Sequence, residues 1–319
     1  MKDTFAGYYP LDKNIFLSDN SILNFDIYYS KSVKNDAVPV LLVAQNSHIS
    51  NLKIKLSQRD YGQLFIRKSA LDDYKKFIEN SLLEVISDPL VPLDQKAQFV
   101  NDCARNVLKQ VFEDPRSGEN IKQVENVTNN IVRFILGEFK AIPHLLSLSA
   151  HNYYTFSHCL QVSTFALGLW LHIGKGLESE AYSLALGCML HDIGKIRIDK
   201  AILNKPEKLK EEEFAEMKKH PEYGAELVCD FVSDAALDVI MHHHERFDGT
   251  GYPKGLKENN ISSNSKIAAI ADVYDAVTTN RAYAKAAAPF EALNMMKKEM
   301  TSHFEQEKFE SFIKFLGTL

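Results

Sequence analysis

The spacing of apolar residues changes along this chain. Over the first eighty or so positions they fall in short runs, FDIYYS (25–30), VPVLLVA (38–44) and QLFIRK (63–68), rich in the valine, isoleucine and aromatic residues that favour strands. SALD follows, a Ser-x-x-Asp capping box at Ser69 and Asp72, ahead of a helical stripe through Leu71, Tyr74, Ile78 and Leu82. The pattern predicts a small α+β domain over residues 1–90.

From about residue 95 the period becomes that of a helix. Val100, Cys103, Ala104, Val107, Leu108 and Val111 share one face, and Pro115 closes the element. A second helix is predicted from about Ile121 to Phe139, ahead of Pro143. These two are read as connecting helices over 91–143. Beyond them helix follows helix, with breaks at Gly174, around Gly194, at Pro206 and Pro221, and across GTGYP. Residues 144–319 are therefore expected to form an all-α domain.

Composition narrows the partners. The 319 residues are 45% hydrophobic and 25% charged, with a net charge of -5, an ordinary globular balance that argues against a nucleic-acid polymer as partner. A small anionic ligand remains compatible, because a local group of cations suffices to bind it. No uncharged apolar stretch is long enough to span a bilayer, and MKDTFAGYYP lacks a signal-peptide core. Cys103, Cys159, Cys188 and Cys229 form no CxxC pair, and each is expected as a small buried hydrophobe in a cytoplasmic protein.

The helical half also carries ligand-type side chains: His158 in YTFSHCLQV, His191-Asp192 in HDIGK, His220 in KKHPEYG, and His243-His244 in HHHERFDGTGYP. Asp272 in IADVYDA adds a carboxylate. One histidine alone is more often a core or surface residue than a ligand. Together, imidazole and carboxylate without thiolate make the donor set of iron, manganese or catalytic zinc. Adjacent His191 and Asp192 reach one ion only where a helix ends or where two ions share the site. A carboxylate such as Asp192 can bridge two cations, and an imidazole cannot. Two ions about 3.5–4 Å apart would hold a hydroxide nucleophile between them. Lys195, one helical turn after His191, would meet a phosphate oxygen.

HDIGK, the KP-x-KL of LNKPEKL, KKHPEYG, HHERFDGTGYP and IADVYDAVTTNRAY succeed one another in the order of the HD-GYP family. Over about residues 150–300 the chain resembles that branch of the HD-domain metal-dependent phosphohydrolases. The resemblance implies a helical HD-type domain with a metal centre, often iron, that hydrolyses cyclic di-GMP to linear pGpG or GMP. It makes His158, His191, Asp192, His220, His243, His244 and Asp272 the metal ligands, with Asp192 bridging and catalytic together with Lys195. It implies substrate contacts from Lys195, Tyr252, Arg281 and Lys285. Glu245 and Asp275 are expected to orient ligands from behind them, and His242 is expected to face elsewhere. Gly249 and Gly251 are expected to adopt backbone angles that other residues resist.

Two departures matter. Tyr154 stands where three-metal members carry a glutamate, so two divalent ions are expected, iron ahead of manganese or zinc. After Arg281 come Ala282, Tyr283 and Ala284, with the basic residue one step late at Lys285, which implies a weaker hold on a second phosphate. The rival expectation is a module that binds metal and nucleotide without turnover and signals through a protein partner. The N-terminal domain or the GYP loop would make that contact, and a homodimer is compatible with either reading.

Overall fold

The computed structural model describes residues 5–11, 16, 21–33, 36–148, 155–174, 176–279 and 286–319. It divides into two compact units, Met1–Cys103 and Ala104–Leu319. Tyr154, and the stretch holding Arg281, Ala282, Tyr283, Ala284 and Lys285, lie outside the described residues.

The first unit is α+β. Strands β1 (Tyr8–Leu11), β2 (Ile27–Val33), β3 (Asp36–Val43) and β4 (Leu64–Arg67) form an antiparallel sheet in the order β1-β4-β2-β3. In β4, Leu64 and Ile66 are fully buried while Phe65 and Arg67 face outward, the alternation of a sheet covered on one side. Helices α1 (Ile49–Gln58) and α2 (Leu71–Ser87) supply the cover. Phe25 is the hub of the aromatic core, edge-on to Tyr74 at 5.5 Å and to Phe77 at 5.6 Å.

The three predicted strand runs all lie in this sheet, but two elements escaped the pattern. β1 has only four residues, with Pro10 on a sheet edge where its missing N–H costs no ladder bond. α1 buries only Ile49 and Leu52, too few to mark a stripe. The capping box at Ser69 does not form. Ser69 lies inside a 3-10 turn, Lys68–Ala70, and Ala70 caps α2 without a side-chain bond. Asp72 instead sits in the first turn, where a carboxylate meets the positive end of the helix dipole.

The remaining elements are all helices. They are α3 (Leu93–Glu113), α4 (Gly118–Gly137), α5 (Ala141–Leu148), α6 (Thr155–Ile173), α7 (Glu178–Leu190), α8 (Lys200–Leu203) and α9 (Glu211–Met217). Then come α10 (His220–Val228), α11 (Asp234–His242), α12 (Ser263–Thr278), α13 (Pro289–Glu299) and α14 (Gln306–Leu316). α6 is buried on every side from Ser157 to Leu169, which makes it the central rod of the second unit. α7, α12 and α14 pack around it. Trp170 differs from the core position its neighbours Leu167 and Leu169 occupy: it is half-buried, on the wall of a surface cleft with Ile173 and Glu180. Cys229 likewise departs from the expected burial. It follows the last residue of α10 and is exposed, while the other three cysteines are buried. Among the described residues no helix is long and apolar enough to cross a membrane.

Candidate metal centre

Five backbone segments converge on the predicted ligands. His158 comes from the first turn of the buried α6, where no solvent competes for its ring. α7 ends at Leu190, so His191 and Asp192 leave the helix together and a 3-10 turn, Ile193–Arg197, carries Lys195. His220 opens α10, with Pro221 behind it in the position where a missing N–H does no harm. His243 and His244 follow the end of α11, and Asp272 and Asp275 lie on α12.

One contact sets the distance between the second and third of these segments. A Cβ on Gly194 would lie 1.9 Å from the His220 carbonyl oxygen and 2.4 Å from the Gly224 nitrogen. The 3-10 turn therefore rests backbone-to-backbone on α10, and that approach brings His220 to Asp192. The glycine of HDIGK is the sequence sign of this approach, and it lies outside the set of donor-type residues.

The imidazoles are oriented alike. His191, His220 and His243 each donate Nδ1–H to the carbonyl three residues earlier, on Cys188 (2.7 Å), Met217 (2.9 Å) and Ile240 (2.9 Å). His158 donates Nδ1–H to Asp275 Oδ2 at 2.6 Å. With Nδ1 occupied, a neutral ring presents its Nε2 lone pair, the usual way a ligating histidine is held.

These Nε2 atoms fall into two groups. The Nε2 atoms of His158 and His191 stand 3.2 Å apart, and His158 Nε2 is 3.1 Å from Asp272 Oδ1. The Nε2 atoms of His220 and His243 stand 3.3 Å apart. Donors sharing one ion at bonds of about 2.1 Å lie roughly 3–3.4 Å from one another, so each group has the spacing of a coordination shell. His220, His243 and His244 form one ion-sized cluster and His158, His191 and Asp192 another. Asp192 lies between them, its Oδ1 being 3.5 Å from both His191 Nε2 and His220 Nε2. That oxygen is buried and has no hydrogen-bond partner among the described residues, so the donors fit a cation that would satisfy it.

Electrostatics agree with the donor set at four of the five histidines. Burial drives His191 and His243 below the usual imidazole range, His244 to about 4 and His220 to about 3, so all four are neutral and able to ligate at pH 7. Burial also opposes a charge on His158, but its bonds to the Asp272 and Asp275 carboxylates prevail and raise it to about 9. Asp192 resists burial through the Lys195 ammonium, and Asp272 through the His158 bond, so both stay ionised. Lys195 Nζ donates to Asp192 Oδ2 at 2.6 Å.

Residues 171–307 match the family described as an HD domain. A cyclic di-GMP phosphodiesterase of Pseudomonas aeruginosa is 37% identical over 220 residues, covering 67% of this chain and 52% of that protein. A 3'3'-cGAMP-specific phosphodiesterase of Vibrio cholerae is 34% identical over 167 residues, 51% of this chain and 32% of that protein. An HDG"Y"P protein from Bdellovibrio bacteriovorus shares the fold, with a TM-score of 0.70 at 20% identity over 97% of this chain and 99% of that one. The chain belongs to the HD-GYP family. It spans about half or less of the length of the curated relatives it matches.

The HD-GYP signature loop is built differently from the sequence expectation in one respect. Gly249 does have a positive φ of 82°, but Gly251 does not occupy that region. Its need is space: a Cβ there would lie 2.4 Å from the Arg246 nitrogen and 2.6 Å from the His244 oxygen. The loop thus folds directly onto the end of α11, and the Tyr252 ring lies over His244 at 4.7 Å. Among the described residues the Glu245 carboxylate makes no hydrogen bond to a ligand-type histidine. This buried group accepts from the backbone N–H groups of Lys254 (2.7 Å) and Leu256 (3.0 Å), which closes the loop. His242 turns away from the HD-GYP centre and donates Nδ1–H to Asp238 Oδ1 at 2.8 Å.

Proposed function

We propose that this chain is a metal-dependent phosphodiesterase that hydrolyses cyclic di-GMP to linear pGpG, GMP or both. One observation carries the reading: the buried Asp192 Oδ1, without a hydrogen-bond partner among the described residues, is equidistant from histidines of two ion-sized clusters. The similarity to phosphodiesterases of cyclic dinucleotides supplies the substrate class.

In this reading His158, His191 and Asp272 would hold one divalent ion, His220, His243 and His244 would hold the other, and Asp192 would be shared between them. Iron is the metal assigned, and manganese and zinc accept the same donors. Two such ions would supply Lewis acidity and a hydroxide nucleophile. The protein's own groups do the rest. Lys195 balances the bridging carboxylate and presents its ammonium to a non-bridging phosphate oxygen, where charge grows as the bond to phosphorus forms. Asp275 fixes the His158 ring. Tyr252 lines the mouth beside His244, and Arg281 and Lys285 are assigned to the phosphates from their motif positions.

A specific departure favours a second reading. With Ala284 at the family's basic position, the domain is a sensor that binds nucleotide and transmits through a partner. The two separate in one experiment: metal content by mass spectrometry on anaerobically purified protein, with hydrolysis of cyclic di-GMP and of 3'3'-cGAMP followed on the same sample. Two ions per chain with turnover of cyclic di-GMP are expected. Two ions with nucleotide binding and no turnover would establish the sensor, turnover of cyclic GMP-AMP alone would change the substrate, and no bound metal would overturn the site.

A further inference from the structure

Asp238 belongs to none of the motifs, yet it joins the two helices that carry four of the proposed ligand and ligand-orienting residues. It lies in the last turn but one of α11, which delivers His243 and His244. Its Oδ1 accepts from His242 Nδ1–H, and its Oδ2 accepts from Ser262 Oγ and from Ser265 Oγ, the latter at 2.7 Å. Ser265 Oγ also stands 3.1 Å from the Asp238 carbonyl. Ser262 is the N-cap of α12, its side chain accepting from Ser265 N–H at 3.1 Å, and Ser265 is fully buried. α12 is the helix of Asp272 and Asp275.

His242 is tied at its backbone as well as its ring. Its carbonyl accepts from Glu245 N–H at 2.9 Å, so the chain that leaves α11 with His243 and His244 turns back over a residue held by Asp238. A helix end left to itself frays, because its last carbonyls lack intrahelical donors. Here His244 Nδ1 must keep 3.7 Å from Asp272 Oδ2, across from α11 to α12. The only polar side-chain bonds between these two helices among the described residues run through Asp238.

We propose that Asp238 is a positioning residue of the metal centre: through His242 on one side and Ser262 and Ser265 on the other, it sets the end of α11 against α12 and so holds His243 and His244 in ligating geometry. The inference rests on the metal-centre reading above and is independent of the substrate.

The test is metal affinity. Apo-protein is titrated with Mn²⁺ against a competing chelator, for wild type, Asp238→Ala, His242→Ala and the double variant. Groups that orient ligands typically change metal affinity by about 10–100-fold, so the more weakly held ion should lose that much in Asp238→Ala and in His242→Ala. Because both act through one bond, the double variant should lose no more than the larger single loss. His242→Asn keeps a side-chain N–H for the same carboxylate and should recover affinity. Asp234→Ala, one turn earlier and exposed, should bind metal as wild type does. Helical content and metal-free melting are read in parallel, and Ser265→Ala, which removes a single hydroxyl, serves if Asp238→Ala does not fold. Two ions at wild-type affinity in Asp238→Ala and His242→Ala, or additive losses in the double variant, would overturn the positioning role alone. A wild-type protein that takes up no metal would overturn the metal centre and this inference with it.

Discussion

Gly194→Ala puts the assembly of the centre at risk without touching a ligand. The new Cβ would sit 1.9 Å from the His220 carbonyl oxygen, about 1.5 Å short of the 3.4 Å at which ordinary contact begins. The obstacle is backbone on both sides, so no side chain can rotate away. α10 must move, and His220 is its first residue. Its Nε2 lies 3.3 Å from His243 Nε2 and 3.5 Å from Asp192 Oδ1, spacings that a shift of 1 Å or more would open beyond the roughly 0.5 Å tolerance of a working site. Overpacking of this kind costs about 1–3 kcal/mol, or roughly 2–12 °C of melting temperature in a unit of this size. The expected result is at least a tenfold weaker ion at His220, His243 and His244, with the ion at His158, His191 and Asp272 retained. Mass-spectrometric metal content after dialysis against graded chelator reads the first effect, and calorimetry reads the second. Gly224→Ala is the graded control. Its Cβ would meet Ile240 Cγ2 at 3.2 Å and the Gly194 nitrogen at 3.3 Å, contacts that yield by a few tenths of an ångström. Two ions at wild-type affinity in Gly194→Ala would refute the argument.

Three further outcomes are expected. Asp192→Ala removes the group between the two clusters and should abolish both metal loading and turnover in a protein of unchanged helical content; normal metal content in that variant would dismiss the bridging role. Metal uptake at pH 7.5 should release at least one proton per chain, because His158 alone of the ligand histidines is raised, to about 9, and is charged below that pH, so affinity should climb with pH until about 9. Calorimetry in buffers of different ionisation enthalpy counts that proton, and a count of zero contradicts the His158–Asp275 assignment. Glu245→Ala frees the backbone of Lys254 and Leu256 and should raise KM severalfold with two ions still bound; an unchanged KM would mean the closed GYP loop is not part of the substrate site.

The helical period of α3 and the strand runs of β2, β3 and β4 were legible because each buries one side of a regular element, and burial writes its own spacing into the residues. α1 and β1 were not, since two buried residues or four paired ones leave no period to read. Ser69 illustrates the opposite failure, a local capping pattern overridden by a 3-10 turn that occupies the residues it needs. The ligand types and their order along the chain were likewise open to reading, because coordination chemistry restricts the donors to a few residue types. The sequence by itself therefore determined which donor-type side chains are available and in what order, and that most of the chain is helical. Tertiary structure alone decided that Gly194 sets the position of His220, that Glu245 serves the loop, and that Asp238 joins α11 to α12. Each depends on distances between segments far apart along the chain, and no local spacing of residues encodes those distances.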